Sequence, residues 1–147
     1  MSANLVFLVH LICTWYLVGL IWTIQMVHYS LFDRIGENTF VRYEAEHVRR
    51  MAPIAGPQMI LELATAIVLV FAAPAGLPRW AALLGLLAVV VIWISTFLIQ
   101  VPCHNRLSQG FNRADYQWLV SSNWVRTLLW SGRGILLAYF AARLITD

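Results

Sequence analysis

Tyr43-Glu44-Ala45-Glu46-His47-Val48-Arg49-Arg50-Met51-Ala52-Pro53-Ile54-Ala55-Gly56-Pro57-Gln58-Met59-Ile60-Leu61-Glu62 changes character half-way along. It opens with the charges of a solvated helix, passes Pro53 and Pro57, and continues as an apolar run that carries one acid, Glu62. If that run crosses a membrane, Glu62 lies in hydrocarbon, where charge is costly and marks a functional position by default. With the span starting at Pro57, a rise of 1.5 Å per residue puts Glu62 about 8 Å below the interface.

Composition decides that the run does cross. Apolar residues make up 61% of the 147 and charged residues 12%, against roughly 45–50% and about 25% in soluble domains. Several runs reach the roughly 20 residues that cover a hydrocarbon core of about 30 Å. The fold class is therefore an all-α integral membrane protein, a single four-helix transmembrane bundle with spans at about 4–28, 55–73, 80–101 and 123–144. Proline suits the first turn of the second span. In the connector before it, Phe40, Tyr43, His47 and Arg50 fall on one helical face. Residues 38–50 read as an amphipathic juxtamembrane helix capped by Asn38. Pro74-Ala75-Gly76-Leu77-Pro78 makes a tight turn, and Pro102 ends the third span. The first apolar run lacks a basic leader and a small-residue cleavage site, and reads as a span rather than a signal peptide.

The net charge of +3 comes from ten arginines and no lysine against seven acids. The arginines are scattered at segment ends, which excludes a nucleic-acid face and fits the positive-inside bias. Connector one carries Arg34, Arg42, Arg49 and Arg50, and connector three carries Arg106 and Arg113. That places both long connectors in the cytoplasm and both termini outside, in a cell inner membrane. Cys13 and Cys103 then lie in opposite membrane halves, too far apart for a disulfide. Tyr29, Trp80, Trp118 and Trp124 suit an interfacial aromatic belt. The segment ends Ile24-Gln25-Met26-Val27-His28 and Ile99-Gln100-Val101-Pro102-Cys103-His104 hint at two repeated helical hairpins.

This topology gathers Gln25, His28, Tyr29, His47, Gln58, Glu62, Thr96, Gln100, His104, Asn123, Arg126 and Arg133 in the cytoplasmic half, and leaves the outer half little beyond His10 and Thr14. Either these groups line a polar pocket open to the cytoplasm, or they are hydrogen-bonded glue between helices. A partnership of Glu62 with Arg126 or Arg133 would lower the cost of burying both charges. It is either a register-setting ion pair or part of a site. In the site reading Glu62 accepts a proton, Arg126 stabilises an oxyanion, Arg133 supports Glu62, and His104 and His47 relay protons or act as ligands.

The cofactor is undetermined. His28, His47, His104 and Glu62 suit a mononuclear metal by ligand type, and one histidine with arginines nearby suits a haem. Gln100 and Asn123 join His28 and His47 as candidate cofactor contacts. Glu44 and His47 form one E-x-x-H pair, half of what a di-iron carboxylate bundle requires. The alternative for His28 and His104 is an interfacial position facing water and headgroups. Phosphate-binding glycine loops, Ser/His/Asp orders and C-x-x-C pairs are absent.

Pro102-Cys103-His104-Asn105-Arg106-Leu107, then Trp118, then Asn123-Trp124-Val125-Arg126-Thr127 resembles the second half of the anthrone-oxygenase-like small membrane proteins. In that family a Pro-x-Asn-x-x-Leu element follows the third helix, and Asn-x-x-Arg-Thr opens the fourth. His104 stands where the pattern has Asn. The resemblance implies four helices and, for its characterised members, oxidation of a polyketide anthrone to a quinone by dioxygen. By position it carries over only Pro102, His104, Leu107, Asn123, Arg126 and Thr127.

The expectation is an oxidoreductase-like membrane enzyme acting on a hydrophobic or quinone-like small molecule. The alternative is a non-catalytic subunit, alone as a homo-oligomer or within a larger membrane complex. The lipid bilayer is the one partner both share.

Overall fold

The computed structural model describes residues 2–146, which are helical almost throughout. Four long stretches follow one another: α1 (Ala3–Arg34), α2 (Glu37–Phe71), α3 (Arg79–Leu107) and α4 (Arg113–Thr146). Ser2 caps α1, its Oγ accepting the Leu5 N–H at 3.4 Å. Short turns at residues 35–36, 72–78 and 108–112 reverse the chain each time. α1 and α3 each pack against both α2 and α4, which makes an up-down ring of four helices. The turns at 35–36 and 108–112 share one end, here called the hairpin end. The opposite end carries both termini and the 72–78 turn, where Leu77 N–H bonds Pro74 O at 2.9 Å.

The packing is inverted relative to a water-soluble protein. Leu98 is 71% exposed and Phe71 82%, whereas Arg133 is 4% and Glu62 1% exposed. An apolar exterior over a polar interior is what a hydrocarbon solvent selects, because every polar group must be satisfied inside. Among the described residues, α1, α2 and α3 are long and apolar enough to cross a membrane. α4 falls short of that, with Arg126 and Arg133 inside its apolar stretch.

Two apolar clusters flank the charged layer. One, toward the termini, contains Val6, Phe7, Leu69, Leu77, Leu137 and Phe140. The other, toward the hairpin end, contains Leu17, Ile21, Phe32, Phe40, Leu107, Leu119 and Trp130.

The all-helical expectation holds, but the connectors differ. Residues 38–50 are helical, yet they form no separate juxtamembrane element: they are the opening turns of α2, whose 35 residues extend about 52 Å at 1.5 Å each. That exceeds a hydrocarbon core of about 30 Å, so α2 projects from it. Its first residue is Glu37, after Gly36, so Asn38 is not its cap. Pro53 and Pro57 lie inside α2 rather than at its start. Both are exposed, and the carbonyl freed by Pro53 belongs to exposed Arg49, where water can meet it.

Pro102 does not end α3 either. A π turn at Thr96–Gln100 precedes it, with Val101 N–H reaching back to Thr96 O. Pro102 falls in the first turn of the ladder that restarts there, where a missing N–H costs little. α1 carries a matching π turn at Ile24–His28.

The face turned inward by the start of α2 is Phe40, Glu44, His47 and Met51, not Phe40, Tyr43, His47 and Arg50; Arg50 is exposed and Tyr43 is 37% exposed. Tyr29 is buried at 3% and leaves the aromatic belt, while Trp80, Trp118 and Trp124 stay exposed. Cys13 and Cys103 are buried and unlinked.

Lipid against α3 has a direct consequence. Leu87 is 60% exposed in the apolar middle of that helix, and Leu87→Arg should weaken membrane insertion by about 2.5–3.5 kcal/mol. A glycosylation-based insertion assay measures this, and unchanged insertion would refute a lipid-facing α3.

Candidate functional site

The charged layer centres on Glu62. Its Oε1 accepts from Thr14 Oγ1 at 2.9 Å and from Arg133 Nη1 at 2.5 Å, and its Oε2 accepts from Trp130 Nε1 at 3.0 Å. Arg133 Nη2 meets His10 Nε2 at 3.0 Å. Arginine only donates, so Nε2 must accept and the imidazole carries its proton on Nδ1. That Nδ1–H donates to Thr65 Oγ1 at 2.8 Å, and the Thr65 hydroxyl donates onward to Leu61 O at 2.7 Å. The chain of bonds therefore fixes a neutral His10. Three of the four helices contribute to it.

A second layer, nearer the hairpin end, is built of amides. Asn123 Nδ2 donates to Gln25 Oε1 at 2.8 Å, and Gln25 Nε2 donates to Val120 O at 3.2 Å. Ser95 Oγ donates to Gln100 Oε1 at 3.0 Å, and Gln100 Nε2 to Ser122 Oγ at 3.2 Å. Gln25 and Gln100 each belong to one of the two π turns. Both side chains thus reach α4.

The third layer lies at the hairpin end. Glu44, fully buried, accepts from His104 Nδ1 at 2.5 Å, and His104 Nε2 faces the Tyr29 hydroxyl at 3.0 Å. In the tautomer with the proton on Nδ1, that N–H donates to Glu44 and Nε2 accepts from the Tyr29 hydroxyl. His47 packs beside this array, stacked on His104 at 5.7 Å, 5.6 Å from the His28 ring and edge-on to Phe32 at 5.2 Å. The His104 side chain keeps 14% exposure, so the array is not sealed. Arg106, two residues further, pairs with Asp115 at 2.6 Å.

Arg126 stands apart. It is 8% exposed, and its guanidinium lies 5.2 Å from the Trp130 ring centroid. Its Nε has no hydrogen-bond partner, as is true of Arg133 Nε, Trp93 Nε1, Glu44 Oε2 and Asn123 Oδ1.

The structure therefore sorts the expected site residues into three groups. Of the two arginines offered to Glu62, Arg133 is joined to it and Arg126 is not. Glu62 lies at the level of Thr14 and His10, and not with His28, His47 and His104. Histidines 28, 47 and 104 do cluster, but the acid that reaches them is Glu44. Among the described residues, no group of three or more His, Cys, Asp or Glu is placed to hold a metal ion. A haem does not fit the arginines either: the histidine beside Arg133 is His10, and both its ring nitrogens are engaged. Gln100 and Asn123 belong to the amide layer. In place of an open polar pocket, these groups largely bond one another. A cavity of about 10 Å³ beside His10 and Arg133 is at the limit for one water molecule.

Sequence reasoning missed Glu44, Thr14 and Trp130 as partners. The signal for Glu44 was present, since Phe40, Glu44, His47 and Met51 also keep helical spacing. No family model, curated protein or solved structure matches the chain.

The Glu62–Arg133 pair predicts a thermodynamic cycle. Arg133→Met or Glu62→Gln alone should cost about 3–5 kcal/mol by stranding a buried partner, and the double variant should recover much of it. Denaturant unfolding in detergent measures this. Additive losses would show that the two charges are not coupled.

Proposed function

We propose that the chain is a four-span inner-membrane enzyme of oxidoreductase type, with a proton-accepting site at the hairpin end for a lipophilic, quinone-like substrate. The observation that carries this reading is the Glu44–His104–Tyr29 array. A buried carboxylate on Nδ1 stabilises the imidazolium that forms when Nε2 takes a proton, the logic of a carboxylate-oriented general base. Tyr29 passes that proton inward from a substrate hydroxyl or an acidic C–H. The base role thereby moves from Glu62, whose two oxygens already accept from three side chains, to His104. His47, flat against His104, covers the array on one side. The resemblance of residues 102–107 and 123–127 to the anthrone-oxygenase-like proteins supports dioxygen as the oxidant, giving quinone and water from an anthrone.

A fourth span is supported by where α4 puts its arginines. Arg126 and Arg133 face the bundle, while Leu128, Ile135 and Tyr139 are 62%, 66% and 56% exposed. The hairpin end holds Arg34, Arg42, Arg49, Arg50, Arg106 and Arg113, all exposed, which supports a cytoplasmic hairpin end.

A second reading rests on the Glu62 layer, where both carboxylate oxygens and both His10 ring nitrogens are taken up by protein groups. Groups that bond one another in this way set helix register, as an assembly subunit requires, and need no substrate.

Turnover separates the two. Purified protein in lipid nanodiscs should convert a lipophilic anthrone to its quinone in air, followed by absorbance. His104→Gln and Glu44→Gln should slow it about 10²- to 10⁴-fold, with Trp118→Phe, on the exposed surface, as an unaffected control. No turnover by the wild type, or full activity in His104→Gln, overturns the enzyme reading. For orientation, a reporter active only outside the cell and fused after residue 147 should be active; silence there reverses the topology.

A further inference from the structure

Among the described residues, Glu44, Glu62, Arg126 and Arg133 are the charged ones buried in the bundle. Glu62 and Arg133 meet at 2.5 Å, and Glu44 meets His104 at 2.5 Å. Arg126 meets no carboxylate. It enters no ion pair among the described residues, and its Nε–H is unpaired although the residue is 8% exposed. The Trp130 ring face offsets only part of the cost of an uncompensated buried cation. Arg133, two turns on, shows what a neutralised guanidinium looks like in this bundle: its Nε is unpaired too, but its Nη1 meets the Glu62 carboxylate. An unpaired cation weakens the ligand-free protein and suits a bound anion. Side chains on a helix lean toward its N-terminus. For α4 that is the hairpin end, the half holding Tyr29 and His104.

We propose that Arg126 is the receptor for the anionic oxygen head of a lipophilic ligand, a long-chain carboxylate by chemical class, which reaches it from the bilayer. The guanidinium fork matches two carboxylate oxygens, and the apolar exterior accommodates the tail. This goes beyond the proton-accepting reading and does not need it, because binding is measured without turnover and the relay is tested on His104.

The experiment uses the full chain in nanodiscs of zwitterionic lipid, titrated with dodecanoate and, as the uncharged twin, methyl dodecanoate. Tryptophan fluorescence reports binding after correction against protein-free discs, and thermal unfolding reports stability. Dodecanoate should bind about tenfold more tightly than its ester, the effect of one charge-assisted contact. Arg126→Met and Arg126→Gln should abolish that preference and leave the ligand-free Tm unchanged or higher. Arg126→Lys should keep part of the preference. A wild type that does not distinguish acid from ester overturns the proposal. So does a preference that survives in both uncharged variants, or a ligand-free Tm that falls in both, which would mark Arg126 as a structural cation.

Discussion

The constraint on which the structure depends is that charge placed in hydrocarbon must find its partner inside the protein. Glu62 and Arg133 meet that demand together, and the consequences spread from them. Arg133 fixes the tautomer of His10, His10 engages Thr65, and Thr14 and Trp130 complete the carboxylate. α1, α2 and α4 are therefore held at one mutual height by a set of directional bonds. Dispersion between apolar helices sets no such height, because lipid tails pack as well as leucine. The two apolar clusters on either side exclude the water that would weaken the pair.

The three polar layers differ in what they leave unbonded. In the layer at Glu62 both carboxylate oxygens and both ring nitrogens of His10 are bonded, and Arg133 Nε is left over. The amide layer bonds across helices with a single loose oxygen, on Asn123. Toward the hairpin end the bundle keeps a carboxylate oxygen without a partner, a histidine that is not sealed and a guanidinium without an acid. Polar groups that fold without full satisfaction are strained against stability, and such strain persists where it has a use.

Much of the architecture was legible in the sequence because hydrophobic length is a strong signal. The helical class, the 74–78 turn and the attachment of Glu62 to an arginine of the last helix follow from runs and spacings alone. The connectors were not legible. Charged residues 37–50 and 113–122 read as loops or as a separate helix, because hydropathy measures where lipid ends and not where a helix ends. Pro53, Pro57 and Pro102 read as boundaries because a π turn and an exposed, solvated carbonyl leave no mark in composition. In the sequence Glu44 reads only as half of an E-x-x-H pair with His47, and its burial against His104 was not legible. An acid among other charges looks solvated, and only the choice between two equally helical faces, Phe40-Tyr43-His47 or Phe40-Glu44-His47, turns it inward.

The paired π turns bear on how the hairpin end came to be built. A π turn is a helix carrying one residue more than its ladder requires, and one residue rotates all that follows by about 100°. Tyr29 lies after the turn in α1 and His104 after the turn in α3. Removing the surplus residue from either helix would leave the ladder before the turn unchanged and swing that side chain out of the bundle. The two helices must carry their insertions together. The aim of Tyr29 and His104 thus depends on the residue count of two helices and not on the charged layer beneath them.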